Sequence, residues 1–139
     1  MMNGTRRASV SLIIFYEQGV LYMVDDPSYK IIIVEGTTDK RKIEKIINDH
    51  VKIICTFGTF SIERFDELLE TYDLDHQQVY ILVDEDYAGM QLRKQLRHEL
   101  PNARHLHVSE EFGEVAETPE EILAQILVSN HINVHPIFL

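Results

Sequence analysis

Apolar residues come in short continuous runs separated by stretches with a helical rhythm. Lys30-Ile-Ile-Ile-Val34 has four aliphatic residues in a row and reads as a strand buried on both faces. Thr38 to Asn48 then places Ile43, Ile46 and Ile47 at helical spacing. Val51 to Cys55 is a second β-branched run, and Ser61 to Tyr72 sets Ile62, Phe65, Leu68 and Leu69 on one helix face with Ser61 as N-cap. Val79 to Val83 is a third strand. Ala88 to Leu100 is a helix with Leu92, Leu96 and Leu100 in one stripe, stopped by Pro101. Arg104 to Val108 is a fourth strand. Thr118-Pro119-Glu120-Glu121 opens a last helix, with Thr118 read as N-cap and Pro119 as the first helical residue.

Four β-α units in succession predict an α/β fold: a four-stranded parallel sheet flanked by helices on both faces, with right-handed crossovers. In such Rossmann-like layers, ligands bind beyond the carboxyl ends of the strands, where strand order reverses. The repeating scheme occupies residues 23–130. Residues 1–22 stand outside it as an N-terminal extension, read as an edge strand, a tail or a leader. Residues 131–139 form a C-terminal tail whose apolar end (Ile137, Phe138, Leu139) is expected to dock on the domain or on a second copy.

A chain of 139 residues, 45% hydrophobic and 26% charged, has room for one self-sufficient core. The single cysteine, Cys55, excludes an internal disulfide or a cysteine-rich zinc site and suits a reducing, cytoplasmic setting. No apolar run approaches the roughly 20 residues of a membrane span. The net charge of −10 argues against nucleic-acid binding over the whole surface and leaves room for a local basic patch. The basic residues do cluster, at Lys40-Arg41-Lys42 with Lys45 and at Arg93, Lys94 and Arg97. Acids concentrate in Glu63 to Asp75 and Glu110 to Glu121, as solvated helix faces do.

The candidate chemistry lies at strand ends. The first buried strand ends in Glu35-Gly36-x-x-Asp39, and the third in Asp84-Glu85-Asp86, followed by Tyr87-Ala88-Gly89. If these strands are neighbours, Glu35 faces Asp84 and Asp86. Carboxylates so placed repel one another unless a cation neutralises them. Mg²⁺, with Mn²⁺ as the alternative, is a hard ion that accepts such oxygen ligands. The i, i+2 spacing of the aspartates is expected to send both side chains to the same ion. Taken singly, Asp86 also reads as the N-cap of the next helix, Asp39 as a first-turn dipole partner, and Lys40-Arg41-Lys42 as a solvated face. His105 and His107 share a face without a visible third ligand, and packing or solvent contact is favoured for them.

At these residues the sequence resembles the Toprim family, which includes catalytic domains of topoisomerases, bacterial primases, OLD-family nucleases and the ribonuclease that matures 5S ribosomal RNA. The likeness runs from about Lys30 to Val128. It rests on Val34-Glu-Gly-x-x-Asp39, the Thr56-Phe-Gly58 turn, Asp84-x-Asp86-x-x-Gly89 with Arg93 following, and Phe112-Gly-Glu-Val-Ala-Glu-Thr-Pro119. The resemblance is strongest to the ribosomal-RNA maturase and small stand-alone Toprim proteins. It implies the Toprim variant of the Rossmann-like fold and metal-dependent phosphoryl transfer on nucleic acid, with structured RNA as substrate. Asp84 and Asp86 would then hold the metal, Glu35 would add metal binding and proton transfer, and Lys40, Arg41 and Arg93 would contact the nucleic-acid backbone. Gly36 and Gly89 would serve as turn residues beside the metal. A non-catalytic nucleic-acid-binding module acting with a protein partner is the alternative, and a partner or a homodimer would assemble the basic clusters. A phosphate-accepting signalling domain fits poorly, because it needs an aspartate where the first strand offers Glu35.

Overall fold

The structure is a computed structural model that describes residues 11–26 and 29–139. It opens with β1 (Ser11–Glu17) and β2 (Val20–Asp26), paired antiparallel as a separate two-stranded sheet. Gln18 and Gly19 join them, both at positive φ (50° and 81°), as a tight two-residue hairpin turn requires. The division expected at residue 22 thus falls within β2. Residues 1–10, the remainder of the expected extension, lie outside the described residues.

The expected α/β layers follow. They comprise β3 (Lys30–Val34), α1 (Thr37–Ile46), β4 (Val51–Cys55), α2 (Ile62–Tyr72), β5 (Gln78–Leu82), α3 (Tyr87–Glu99), β6 (Arg104–Leu106) and α4 (Glu120–Ser129). Short 3₁₀ turns at Leu74–His76 and Pro136–Phe138 complete the described elements. The four strands are parallel in the order β4-β3-β5-β6. The chain therefore leaves β3 in one direction to form β4, then crosses back to form β5 on the other side. The reversal lies between β3 and β5, the pair that carries the acidic strand ends.

The isoleucine run of β3 shows why this sheet needs cover on both faces. Ile32 and Val34 join Ile43, Ile46, Leu123 and Leu127, the inward sides of α1 and α4. Ile31 and Ile33 point the other way, to Phe65, Leu92 and Leu96 of α2 and α3. Successive strand residues face opposite sides, so a strand between two helical layers must be apolar throughout. Each fully buried aliphatic side chain here contributes about 1.5–3 kcal/mol relative to exposure.

Element ends differ from the periodicity where tertiary contacts intervene. α1 stops at Ile46 because Ile47 is drawn out into a bridge with Val134. The C-terminal tail thereby docks on its own domain: Asn48 N donates to Asn133 O at 2.8 Å, His135 N to Ile46 O at 2.9 Å, and Ile132 is fully buried. β6 ends at Leu106 because its partner β5 ends at Leu82, directly opposite. Ser61 caps α2 as expected, accepting from Arg64 N at 3.1 Å. Thr118 does not cap α4. Its side chain is fully buried, Oγ1 donates to Glu114 O at 2.8 Å, and Pro119 takes the cap position.

Candidate metal centre at the carboxyl edge

Glu35 leaves β3 one residue before α1 begins to form, and its carboxylate reaches across to the end of β5. Its Oε1 accepts a 2.8 Å hydrogen bond from the backbone N of Asp84. Asp84 Oδ1 in turn accepts from Val115 N at 2.8 Å. Asp86 Oδ1 accepts from Gly89 N at 2.7 Å and so caps α3. Asp39 is nearly buried and reaches back to Gly36 N at 3.1 Å, steadying the first turn of α1. Each carboxylate is thus held by a backbone N–H.

The carboxylates disturb one another. Burial, and then repulsion from Asp84, Asp86 and Asp39, pushes the Glu35 carboxyl above its ordinary range against the opposing pull of the Asp84 amide. Burial and the charges of Asp86 and Glu85 raise Asp84 despite the Val115 amide. Burial and Asp84 raise Asp39. The donor set is hard oxygen with excess negative charge, which a divalent cation would relieve, so the residues fit such an ion. Among the described residues no three acidic, histidine or cysteine side chains are already drawn into a closed cage.

Three geometric expectations need correction. Asp84 and Asp86 do not project together from a strand, because β5 ends at Leu82. Both lie in the connection to α3, and Asp86 is turned into the helix cap. The chain bends at Glu35 and Gly36, but the bend does not require glycine. The Gly36 φ of −142° is extended backbone open to any residue, and a Cβ there would meet only Asp39 Oδ2, at 3.9 Å. Gly89 is not a turn residue. It sits in the first turn of α3, and a Cβ there would lie 1.9 Å from the backbone O of Asp84. The glycine lets α3 press against the peptide that carries a candidate ligand.

Arg93 is also corrected. The sequence sets it among residues facing a nucleic-acid backbone, but the structure leaves it 4% exposed. Its Nη2 donates to Leu106 O at 2.6 Å, to Glu85 Oε2 at 2.8 Å and to Val83 O at 3.3 Å. It acts as an internal brace tying β5 to β6 behind the aspartates. The basic cluster on α1 is divided: Lys42 Nζ bonds Ala116 O at 2.7 Å and Lys45 pairs with Glu120 at 2.8 Å. Arg41 remains exposed and Lys40 half-buried. Burial pushes the Cys55 thiol up, and the positive charge of Lys40 opposes that rise.

Several contributors carry no side-chain signature in the sequence. The segment from Ser109 to Thr118 folds over the aspartates through the Val115 amide and through Glu85 N, which donates to Gly113 O at 2.7 Å. Gly113 turns there at φ 73°. Arg64 is a further cation at this edge, its Nη2 donating to Cys55 O at 3.4 Å. Its place two residues beyond the start of a helix that follows a strand was the available signal.

His105 lies behind the site with Nδ1 3.0 Å from Arg93 Nη1. A guanidinium only donates, so Nδ1 accepts and the ring is neutral with its proton on Nε2. Burial, followed by the charge of Arg93, depresses its pKa to about 4. The unfolded chain binds this proton more readily, so stability from His105 is present above its unfolded value of about 6.5. It is lost as pH falls from there toward about 4. An NMR titration of the histidine rings should give His105 the most acidic midpoint, and His105→Gln should flatten the acid limb of thermal stability over that window. A His105 midpoint near 6.5 would refute this.

The fold and the placement of the acids define a class: a parallel α/β layer with a carboxylate cluster at the strand-order reversal. Residues 30–110 match the Toprim domain family, and the chain belongs to that family. Toprim domains generally bind divalent metal ions and serve nucleic-acid-related functions. The chain is 50% identical over 115 residues, 82% of its length and 77% of the relative's, to the uncharacterized protein YusF of Bacillus subtilis (strain 168). It is also similar to the solved structure of a small TOPRIM domain protein from Bacillus stearothermophilus. The TM-score there is 0.74 at 40% identity, covering 80% of this chain and 92% of that one. The expected fold is therefore borne out. No helix among the described residues is long and apolar enough to cross a membrane.

Proposed function

We propose that this protein is a small metal-dependent nuclease that hydrolyses phosphodiester bonds in structured RNA, in the manner of the enzymes that mature ribosomal RNA. The observation that carries this reading is the Glu35 carboxylate seated 2.8 Å from the Asp84 amide at the β3–β5 reversal, with both acids shifted toward the protonated form. Glu35 and Asp84 would hold Mg²⁺, or Mn²⁺ in its place, and Asp86 would join them by leaving its cap on α3. When bound, the ion supplies Lewis-acid stabilisation of charge on the phosphate. Glu35 is suited to proton transfer because its carboxylate is held at the β3–β5 reversal by the Asp84 amide, beside the candidate ligand Asp84. It takes a proton from the attacking water as the new P–O bond forms, and passes that proton, directly or through solvent water, to the leaving oxygen as the old P–O bond breaks. Lys40 and Arg41 steer the backbone toward this edge. Against a net charge of −10, a protein partner or a homodimer would assist substrate capture.

The commitment of Asp86 to the α3 cap favours one second reading, a module that grips nucleic acid through its metal without turnover. End-labelled RNA and DNA incubated with Mg²⁺ or Mn²⁺ separate the two. The nuclease reading expects cleavage that falls at least about 100-fold in Glu35→Gln. Binding without cleavage by both proteins would instead establish the module.

A further inference from the structure

We propose that the carboxyl edge takes unpaired nucleotides, with Phe57 and Tyr87 as stacking platforms on either side of the carboxylates. The proposal rests on the nucleic-acid reading of this site and narrows its substrate to the unpaired stretches of a structured nucleic acid. Phe57 is 67% and Tyr87 79% exposed, although both are large aromatics in a chain with a well-filled core. Phe57 follows β4, and its amide donates to Glu35 O at 2.6 Å. Tyr87 follows Asp86 directly and begins α3. The strand order β4-β3-β5 places Phe57, two residues beyond β4, on one side of Glu35 and the Asp84–Tyr87 connection that follows β5 on the other.

The backbone of Phe57 is held at φ 57°, a left-handed conformation that a bulky residue adopts at an energetic cost. The Phe57–Glu35 backbone bond maintains it, and the ring stays in solvent instead of relaxing into the core. Ile62 and Met90, in the first turns of α2 and α3, are likewise exposed, at 68% and 63%. Arg64, whose Nη2 donates to Cys55 O at 3.4 Å, brings positive charge to the end of β4 two residues before Phe57. Exposed aromatic faces with a cation nearby suit a single strand, whose bases are free to stack while its phosphates meet the charge. A paired helix keeps its base faces covered and would leave both rings unused.

The test uses fluorescence anisotropy with fluorescein-labelled RNA and DNA single strands of about 12 nucleotides, and with the same strands annealed to their complements. Binding is read in Ca²⁺ and again in EDTA, so the aromatic contribution is scored even if the carboxylates hold no ion. The expected result is a preference for single strands, of either sugar, that falls about tenfold in Phe57→Ala and in Tyr87→Ala and survives in Phe57→Trp and Tyr87→Phe. Both side chains are exposed, and each variant's thermal midpoint is checked; should one fail to fold, the other carries the test. Equal affinity for duplex, or unchanged affinity in both alanine variants, would overturn the stacking proposal while leaving the cleavage assay of Glu35→Gln to judge the metal site. A concentration-dependent dimer dissolved by Phe57→Ala would also overturn it, assigning the patch to a second copy.

Discussion

Replacing Gly89 by alanine is expected to destabilise the protein by about 3 kcal/mol, although alanine is the better helix former by about 1 kcal/mol. The sign follows from a single contact. The added Cβ would stand 1.9 Å from the Asp84 carbonyl oxygen and 2.8 Å from its carbon. Both are backbone atoms and cannot swing aside as a side-chain end would. Either α3 backs away from the sheet, opening the core around Leu92 and Leu96, or the Asp84 peptide shifts and Glu35 loses its amide donor. Both routes spoil the carboxylate cluster. Metal-dependent activity and the thermal increment produced by added Mg²⁺ should therefore fall more than stability alone accounts for. Ala88→Ser, at the exposed neighbouring position, is the control and should change little. A stabilised Gly89→Ala variant would show that the helix tolerates the methyl and would remove the reason given for the glycine.

Arg93→Leu should be as damaging, costing about 3–5 kcal/mol and lowering the thermal midpoint by roughly 10–20 °C. The guanidinium is buried among Val83 O, Leu106 O, Glu85 and His105, spanning β5 and β6 from its place on α3. Leucine would leave Glu85, held at 2.8 Å by Arg93, with His107 as its remaining side-chain partner at 3.2 Å. It would also strand two buried carbonyls. Lysine should not rescue the loss, since one ammonium cannot reproduce a planar fork that serves several acceptors at once. Combining Arg93→Leu with Glu85→Leu should recover part of it by removing the unpaired acid. Urea denaturation of the single and double variants measures both effects, and a single variant within 1 kcal/mol of the parent would overturn the bracing role assigned to Arg93.

Arg93 also illustrates the limits of reading chemistry from spacing. A basic residue two turns into a helix that begins at the active edge has the pattern of a phosphate contact. The β6 strand, contributed by a later segment, closes over it and converts it to an internal brace. Asp86 shows the same ambiguity in milder form. Its place before Tyr87 is compatible with a ligand and with a cap, and the hydrogen bond to Gly89 N reveals the cap. Glu35 and Asp84 were legible because Glu-Gly and Asp-x-Asp follow continuous apolar strands, and the strand order brings those strands together. Phe57, Arg64 and the Val115 amide were not singled out for the site. Exposure, reach and backbone direction there depend on which elements meet.

The alternation of apolar runs with helical stripes determined the layered α/β architecture and the limits of its four parallel strands to within a residue or two, but not the β1–β2 hairpin. Hydrophobic period is a local property, and a strand aliphatic throughout can only lie between two covered faces. The acid-bearing strand ends were likewise fixed by residue order. The tertiary structure alone decided which oxygen accepts from which amide, that Arg93 is interior and that Gly89 admits no methyl. Those facts are distances between segments joined by long crossovers, and close packing, which no stretch of sequence contains by itself, sets them.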